Sequence, residues 1–126
     1  MLYTSYFNQN KRLLENDLVP IAICGGLPNG YHGLWYPKLA PSWSIYSEWL
    51  SYHDTIRYRQ RFFKEILSKR NPEQVYHELY ELNDNSFDFA MICYEKPEDF
   101  CHRHLVAEWF TSHGIPCQEW IDPLTF

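Results

Sequence analysis

The chain has 126 residues, of which 45% are hydrophobic and 18% aromatic, and its formal net charge is −5. The length predicts a single domain over residues 1–126, the composition argues against disorder, and the negative charge argues against a protein that coats nucleic acid by bulk attraction. Because no segment approaches the ~18 consecutive apolar residues of a membrane span and the N-terminus lacks signal-peptide features, we expect a cytoplasmic protein with no membrane partner.

Strand-like and helix-like segments alternate along the chain. Apolar and aromatic runs predict four strands, at residues 2–7, 19–24, 87–94 and 115–120. Helices are predicted at residues 9–15, 44–53 and 54–69, from Pro72 with Asn71 as its N-cap, and from Asp99 as N-cap to about residue 113. This order predicts an α/β fold in which a mostly parallel sheet of about four strands is covered by helices.

A long segment without periodicity, residues 25–43, follows the second predicted strand. It is rich in Gly, Pro, His and aromatic residues, and long loops in small domains are often functional. The alternative is an Ω-like lid whose aromatic side chains cover the core.

Residues 89–103 hold the most reactive side chains of the sequence. An apolar strand ends at Cys93, a short acidic loop with Glu95 follows, and Cys101, His102 and Arg103 open a helix. The junction of a strand's carboxyl end with a helix's amino end is a usual place for ligands in α/β proteins. We therefore predict a pocket for an anionic or nucleotide-like ligand here, with group transfer or hydrolysis as the reaction.

The same segment resembles a known family. The motif Ile92-Cys93-Tyr94-Glu95-Lys96-Pro97, followed by Phe100-Cys101-His102-Arg103, resembles the signature of domain-of-unknown-function family 488. Residues 37–42 and 58–67 resemble the short subgroup of that family. The resemblance implies a compact, cytosolic α/β protein of bacterial or phage type, and it implies no settled activity.

Three residues are candidates for catalysis. In the first turn of a helix, Cys101 would have its thiolate stabilised and act as a nucleophile, or it would simply be a small apolar residue packed under the helix. His102 could transfer a proton or donate a structural hydrogen bond to a strand-end carbonyl. Glu95 could be a catalytic carboxylate or the partner of an internal salt bridge.

Other residues are candidates for ligand binding. Arg103 suits a phosphate or carboxylate, although an internal salt bridge with Glu95 or Asp99 is equally consistent with the sequence. If the second and third predicted strands are parallel neighbours, their carboxyl ends bring together the remaining candidates, Cys24, Gly25, Gly26, Cys93 and Tyr94.

The four cysteines are expected to be reduced thiols, because no secretory signal is evident, and a structural disulfide is the less favoured alternative. A zinc site could use Cys93, Cys101 and His102, with Cys24 or His104 as a fourth ligand, and the residue types suit zinc. The spacing is not a usual one, and adjacent residues on a helix point in different directions. The sequence therefore predicts no metal and no cofactor.

A basic, aromatic-rich helix supports a second functional hypothesis. Arg57, Arg59, Arg61 and Lys64 alternate with aromatic residues, so a non-catalytic module could bind nucleic acid or a nucleotide along this helix. At helical spacing, however, Tyr58, Phe62 and Ile66 form a core-facing stripe, and the basic residues would then be an ordinary solvated face.

Overall fold

Five parallel strands form one sheet in the computed structural model, which describes residues 2–84, 88–96 and 98–125. They are β1 (Leu2–Tyr6), β2 (Leu18–Ala22), β3 (Leu34–Trp35), β4 (Asp88–Cys93) and β5 (Cys117–Glu119), in the spatial order β3-β2-β4-β1-β5. The predicted α/β fold with a mostly parallel sheet is confirmed. The prediction of four strands was one short, because β3 lies inside the segment predicted to be a loop.

Five α-helices connect and cover the strands: α1 (Asn10–Glu15), α2 (Trp43–Tyr52), α3 (Thr55–Glu65), α4 (Pro72–Leu82) and α5 (His102–Ser112). The N-caps of α2, α3 and α4 are Ser42, Asp54 and Asn71, and each side chain accepts a hydrogen bond from the backbone N–H three residues later. Over the described ranges, no helix is both long enough and apolar enough to span a bilayer.

The start of α5 differs from the prediction. Its N-cap is Cys101, whose backbone is extended (φ −153°, ψ 144°), so the prediction of Asp99 as the cap was wrong. The backbone N–H of Asp99 instead closes a turn by donating to the carbonyl of Lys96. The predicted strand start at residue 87 and the motif's Pro97 lie outside the described residues.

The two faces of the sheet bury different clusters. Along β4, Phe89 and Met91 pack with residues of α2 to α5, whereas Ala90 and Ile92 pack with Leu13 of α1. The predicted core stripe of α3 is confirmed for its first two members, since Tyr58 and Phe62 are buried.

Pro20 limits how far β2 can pair with the edge strand β3. The Ile23 N–H donates to Ile92 of β4, whereas the Ala22 carbonyl accepts from Tyr36 on the β3 side. Backbone groups alternate in direction along a strand, so the position of Pro20 is one at which an N–H would point towards β3. Proline has no N–H, and pairing with β3 begins only at Ile21.

The pairing of β2 with β4 decides where a site can form. These strands are parallel neighbours with Ala22 opposite Ile92, which is the condition under which the sequence analysis grouped Cys24 with Cys93. From β2 the chain continues to β3 at one edge, and from β4 it continues through α5 to β5 at the other edge. Loops that leave neighbouring strands in opposite directions open a crevice at their carboxyl ends, which is where open α/β sheets bind ligands.

Candidate functional site

A cavity of about 530 Å³ lies at the carboxyl ends of β2 and β4. One side is formed by the loop after β2, a second by α2 and α3, and the floor by the segment between β4 and α5. A volume of this size is within the usual range of small-molecule sites.

Aromatic rings form the wall of the cavity. Trp49 of α2 stacks on Phe100 with ring centroids 5.6 Å apart, and Phe100 meets Tyr58 of α3 edge to face at 4.9 Å. Nearer the opening, the side chains of Trp43 and Tyr46 are 73% and 39% exposed. The indole Nε1 of Trp49 is buried without a hydrogen-bond partner among the described residues.

His102 is buried in the floor in a defined tautomer. Its Nε2 lies 2.8 Å from the carbonyl oxygen of Ile23. Because a carbonyl only accepts hydrogen bonds, Nε2 carries the proton and Nδ1 keeps its lone pair. Nδ1 lies 3.8 Å from the Cys101 sulfur, and burial lowers the pKa of His102 to about 4, which makes the ring neutral at physiological pH.

Cys93 and Cys101 are joined by a disulfide, and their Cα atoms are 7.7 Å apart. The expectation that all four cysteines are reduced thiols is therefore wrong for Cys93 and Cys101. Cys24 and Cys117 are free, and burial raises the pKa of the Cys24 thiol to about 11. The prediction that Cys101 lies in the first turn of the helix was wrong, because Cys101 precedes that turn as the N-cap.

Arg103 lies behind the floor and does not line the cavity. It has no exposed surface, and its guanidinium forms a bidentate pair with Glu119 at 3.1 and 3.0 Å. A third hydrogen bond reaches the Cys93 sulfur at 3.1 Å, and a fourth reaches the Glu95 carbonyl. The ion-pair partner is thus Glu119 rather than the Glu95 or Asp99 carboxylate considered from the sequence, and an anion in the cavity would not meet this guanidinium.

The structure brings the other predicted site residues together. They all line the cavity: Cys24, Gly25, Gly26, Cys93, Tyr94, Glu95, Cys101 and His102. The Tyr94 hydroxyl donates to the Gly26 carbonyl at 2.8 Å and so ties the loop after β2 to the loop after β4.

Glu95 is the one charged side chain on the cavity lining among the described residues. Its side chain is half-buried, and its carboxylate makes no hydrogen bond or ion pair with the part of the chain that the structure describes. The lining therefore contains a carboxylate that can accept a proton. Among the described residues it contains no positively charged side chain that could pair with an anionic group of a ligand.

A comparison with protein families decides the assignment of the chain. The family model DUF488-N3a, described as the active DUF488-N3 subclade, matches residues 8–114. The chain belongs to the DUF488 family. This confirms the resemblance seen in the sequence. No curated protein and no solved structure matches the chain.

The aromatic wall of this DUF488 protein was missed in the sequence. Trp43, Tyr46 and Trp49 recur every three residues along α2, a spacing that signals one helix face. Phe100 was quoted only as part of the family motif, and Tyr58 was assigned to the core. The signal that could have identified the wall is this aromatic row beside the long segment 25–43.

The basic helix of the DUF488 protein is largely ion-paired. Arg57 pairs with Glu48 at 3.1 Å, Arg59 pairs with Glu108 at 2.5 Å, and Arg61 pairs with both Glu48 and Glu65 at 2.6 Å. Lys64 is exposed. Three of the four residues proposed to contact nucleic acid are therefore engaged with carboxylates, as the solvated-face interpretation predicts.

Proposed function

We propose that this DUF488 protein is an enzyme that binds a flat, nucleotide-like ligand in the cavity and hydrolyses it or transfers a group from it. One observation carries the proposal: a single cavity combines an aromatic wall of Trp49, Phe100 and Tyr58 with a floor of cysteine and histidine side chains. The description of the matching subclade as active is consistent with an enzyme. The expected cytoplasmic location belongs to the same proposal.

The ligand class follows from the lining. Exposed Trp43 and Tyr46 offer faces for stacking a planar heteroaromatic ring. Since Arg103 lies behind the floor and Glu95 is negative, the base-like part of a nucleotide fits this lining better than its phosphate.

Glu95 can supply the proton transfer that hydrolysis requires. A water molecule attacks the electrophilic atom of the ligand and forms the new bond from oxygen, while Glu95 accepts a proton from that water. The leaving group departs with the electron pair of the broken bond and then receives the proton from Glu95. The products are the hydroxylated fragment and the protonated leaving group, and Glu95 returns to its carboxylate form.

The alternative function, nucleic-acid binding through Arg57, Arg59, Arg61 and Lys64, has less support. The three arginines pair with glutamates on α2, α3 and α5, so binding a phosphate backbone would require breaking these pairs.

Calorimetric titration with a panel of nucleosides and their 5′-monophosphates tests ligand binding. At least one nucleoside should bind, and Trp43→Ala should weaken it by about tenfold, because an exposed ring that lines the cavity is lost as a stacking surface. Tyr52→Ala is the matched control, since Tyr52 is an exposed aromatic residue of α2 that lies outside the cavity lining. Absence of binding across the panel by a folded protein would refute the proposal.

Turnover of the bound nucleoside tests the catalytic part. Glu95→Gln should retain ligand affinity within about twofold and lose most of the turnover, because the amide keeps the shape of the side chain without accepting a proton. Turnover by Glu95→Gln at the wild-type rate would exclude Glu95 as the base.

A further inference from the structure

We propose that, once the Cys93–Cys101 disulfide is reduced, these two cysteines and the Nδ1 atom of His102 form a binding site for Zn²⁺ or a similar divalent metal ion in the floor of the cavity. The metal site deepens the proposed function, because a metal ion with three protein ligands would have a fourth position open to the ligand in the cavity. Only this use of the fourth position rests on the proposed function. The geometric evidence for the metal site itself is independent of which ligand occupies the cavity.

The three ligand atoms are already grouped. The two sulfurs and a ring nitrogen of His102 all lie within 4.8 Å of one another. The Cys101 sulfur and the His102 Nδ1 are 3.8 Å apart, close to the roughly 3.6 Å that tetrahedral zinc imposes between a sulfur and a nitrogen ligand.

The backbone removes the objection that neighbouring residues cannot share a metal. That objection assumed that Cys101 and His102 both lie on a helix. Cys101 is instead the N-cap with an extended backbone, and His102 is the first helical residue. The change of conformation between them allows both side chains to converge on Cys93.

The surroundings of His102 are those of a metal ligand. Histidine ligands nearly always donate their second ring N–H to a backbone carbonyl or a carboxylate, which fixes the tautomer and aims the other nitrogen at the metal. The bond from the His102 Nε2 to the Ile23 carbonyl, at 2.8 Å, has this role. It leaves the Nδ1 lone pair directed towards the cysteines.

The surroundings of the cysteines suit thiolates. The buried Arg103 guanidinium donates to the Cys93 sulfur at 3.1 Å and is held in place by Glu119, and a cation favours a thiolate. The Cα separation of 7.7 Å is wider than the roughly 4.4–6.8 Å usual for disulfides. Two-electron reduction of the disulfide by a cellular thiol would release both sulfurs as thiolates, and these can then separate around a metal ion.

The donor set selects the class of metal. Two thiolates and one imidazole suit zinc, and disfavour magnesium and calcium, which prefer oxygen. Neither Cys24 nor His104 joins the group among the described residues, so three protein ligands leave one position facing the cavity. Three ligands and an open position are the pattern of a catalytic rather than a structural zinc site.

Cobalt titration of the whole, reduced chain under anaerobic conditions tests the site. We expect one Co²⁺ per chain, with the thiolate-to-cobalt charge-transfer band and the intense visible bands of tetrahedral coordination, and displacement of the cobalt by Zn²⁺. Cys93→Ser, Cys101→Ser and His102→Ala should each weaken Co²⁺ binding at least tenfold. Cys24→Ser is the matched control, because Cys24 also lines the cavity but lies outside the group.

A second measurement needs only the wild-type protein. With Zn²⁺ present, Cys93 and Cys101 should be protected from iodoacetamide, and Cys24 and Cys117 should react equally with and without Zn²⁺, as read by peptide mass spectrometry. Failure of the reduced chain to bind Co²⁺ would overturn the proposal. So would isolation of the chain solely with a Cys93–Cys101 disulfide that binds no metal after reduction.

Nucleoside binding by metal-free protein separates this proposal from the proposed function. If nucleosides bind but Co²⁺ does not, the metal site is refuted and the pocket stands. If Co²⁺ binds at Cys93, Cys101 and His102 but no nucleoside binds, the metal site stands and the ligand assignment is refuted.

Discussion

Arg103 carries a full charge at a position with no solvent exposure. Its guanidinium is satisfied by Glu119, the Cys93 sulfur and the Glu95 carbonyl. When one partner of a buried ion pair is removed, the other is left as an uncompensated charge. The side chain thus supports the floor of the cavity from behind and fixes the end of β4 relative to β5.

Arg103→Met should lower the free energy of unfolding by about 3–5 kcal/mol, because Glu119 loses its buried partner. Urea denaturation measures the change. Arg59→Met is the matched control, since Arg59 and Glu108 form an exposed pair, 47% and 50% accessible, for which about 0–1 kcal/mol is expected. Equal effects of the two substitutions would show that burial does not determine the contribution of Arg103.

Asp122 gives the stability of the protein a defined dependence on pH. Hydrogen bonds from Arg12, and then from the Leu124 N–H, lower the pKa of this carboxyl to about 2, whereas an unfolded chain has a pKa of about 3.9. A group with a lowered pKa in the folded state stabilises it above the unfolded pKa and loses this contribution as pH falls through the folded pKa. The interaction is therefore present at neutral pH.

The difference in unfolding free energy between wild type and Asp122→Asn should shrink as pH falls from about 5 to about 2. Urea denaturation at a series of pH values measures it. In an Arg12→Met background the same substitution should give a flatter profile, because the Arg12 hydrogen bond that contributes most to lowering the pKa of Asp122 has been removed. A difference that stays constant with pH in both backgrounds would contradict the assignment.

Among the elements, α4 shows how a side chain can fix the start of a helix. The Asn71 Oδ1 accepts the Gln74 N–H at 3.1 Å, and Pro72 follows as the first helical residue. Asn71→Ala should destabilise the protein by about 1 kcal/mol, whereas Asn71→Asp, which keeps the acceptor, should stay within about 0.5 kcal/mol of wild type. Thermal denaturation compares them, and an equal loss in both variants would exclude capping as the cause.

The starts of α4 and α5 explain what the sequence could predict at the level of elements. At α4 an asparagine precedes a proline, and both favour the same boundary without help from the rest of the fold. At α5 the local pattern favoured Asp99, but Asp99 lies in a turn, Phe100 packs on Trp49 and Tyr58, and the helix begins only after the extended Cys101. That boundary depends on tertiary contacts from α2 and α3, which local sequence patterns do not contain.

For the whole molecule, the buried parallel strands were readable because β2 and β4 are continuous apolar runs. Their pairing correctly placed Cys24 near Cys93 on one cavity. The edge strand β3 was not readable, because two residues among glycines, prolines and histidines carry no period. The aromatic wall was missed for a related reason: rings on α2 that face a cavity have the same spacing as rings that face a core.

Native-state hydrogen exchange should follow the order of the strands in the sheet. The amides of β4 should exchange most slowly, because β4 is buried and has a paired strand on each side. The amides of β3 should exchange much faster, because it is a two-residue strand at the edge. Equal protection of β3 and β4 would mean that the sheet opens only as a unit.

The edges of the sheet also affect the tendency of the protein to aggregate at high concentration. The two edge strands, β3 and β5, have only two and three residues. Pro20 of β2 lacks the N–H that a longer pairing with β3 would need. Short edges give an approaching chain little backbone on which to add a strand. The same proline that shortens the sheet therefore protects the molecule against edge-to-edge aggregation.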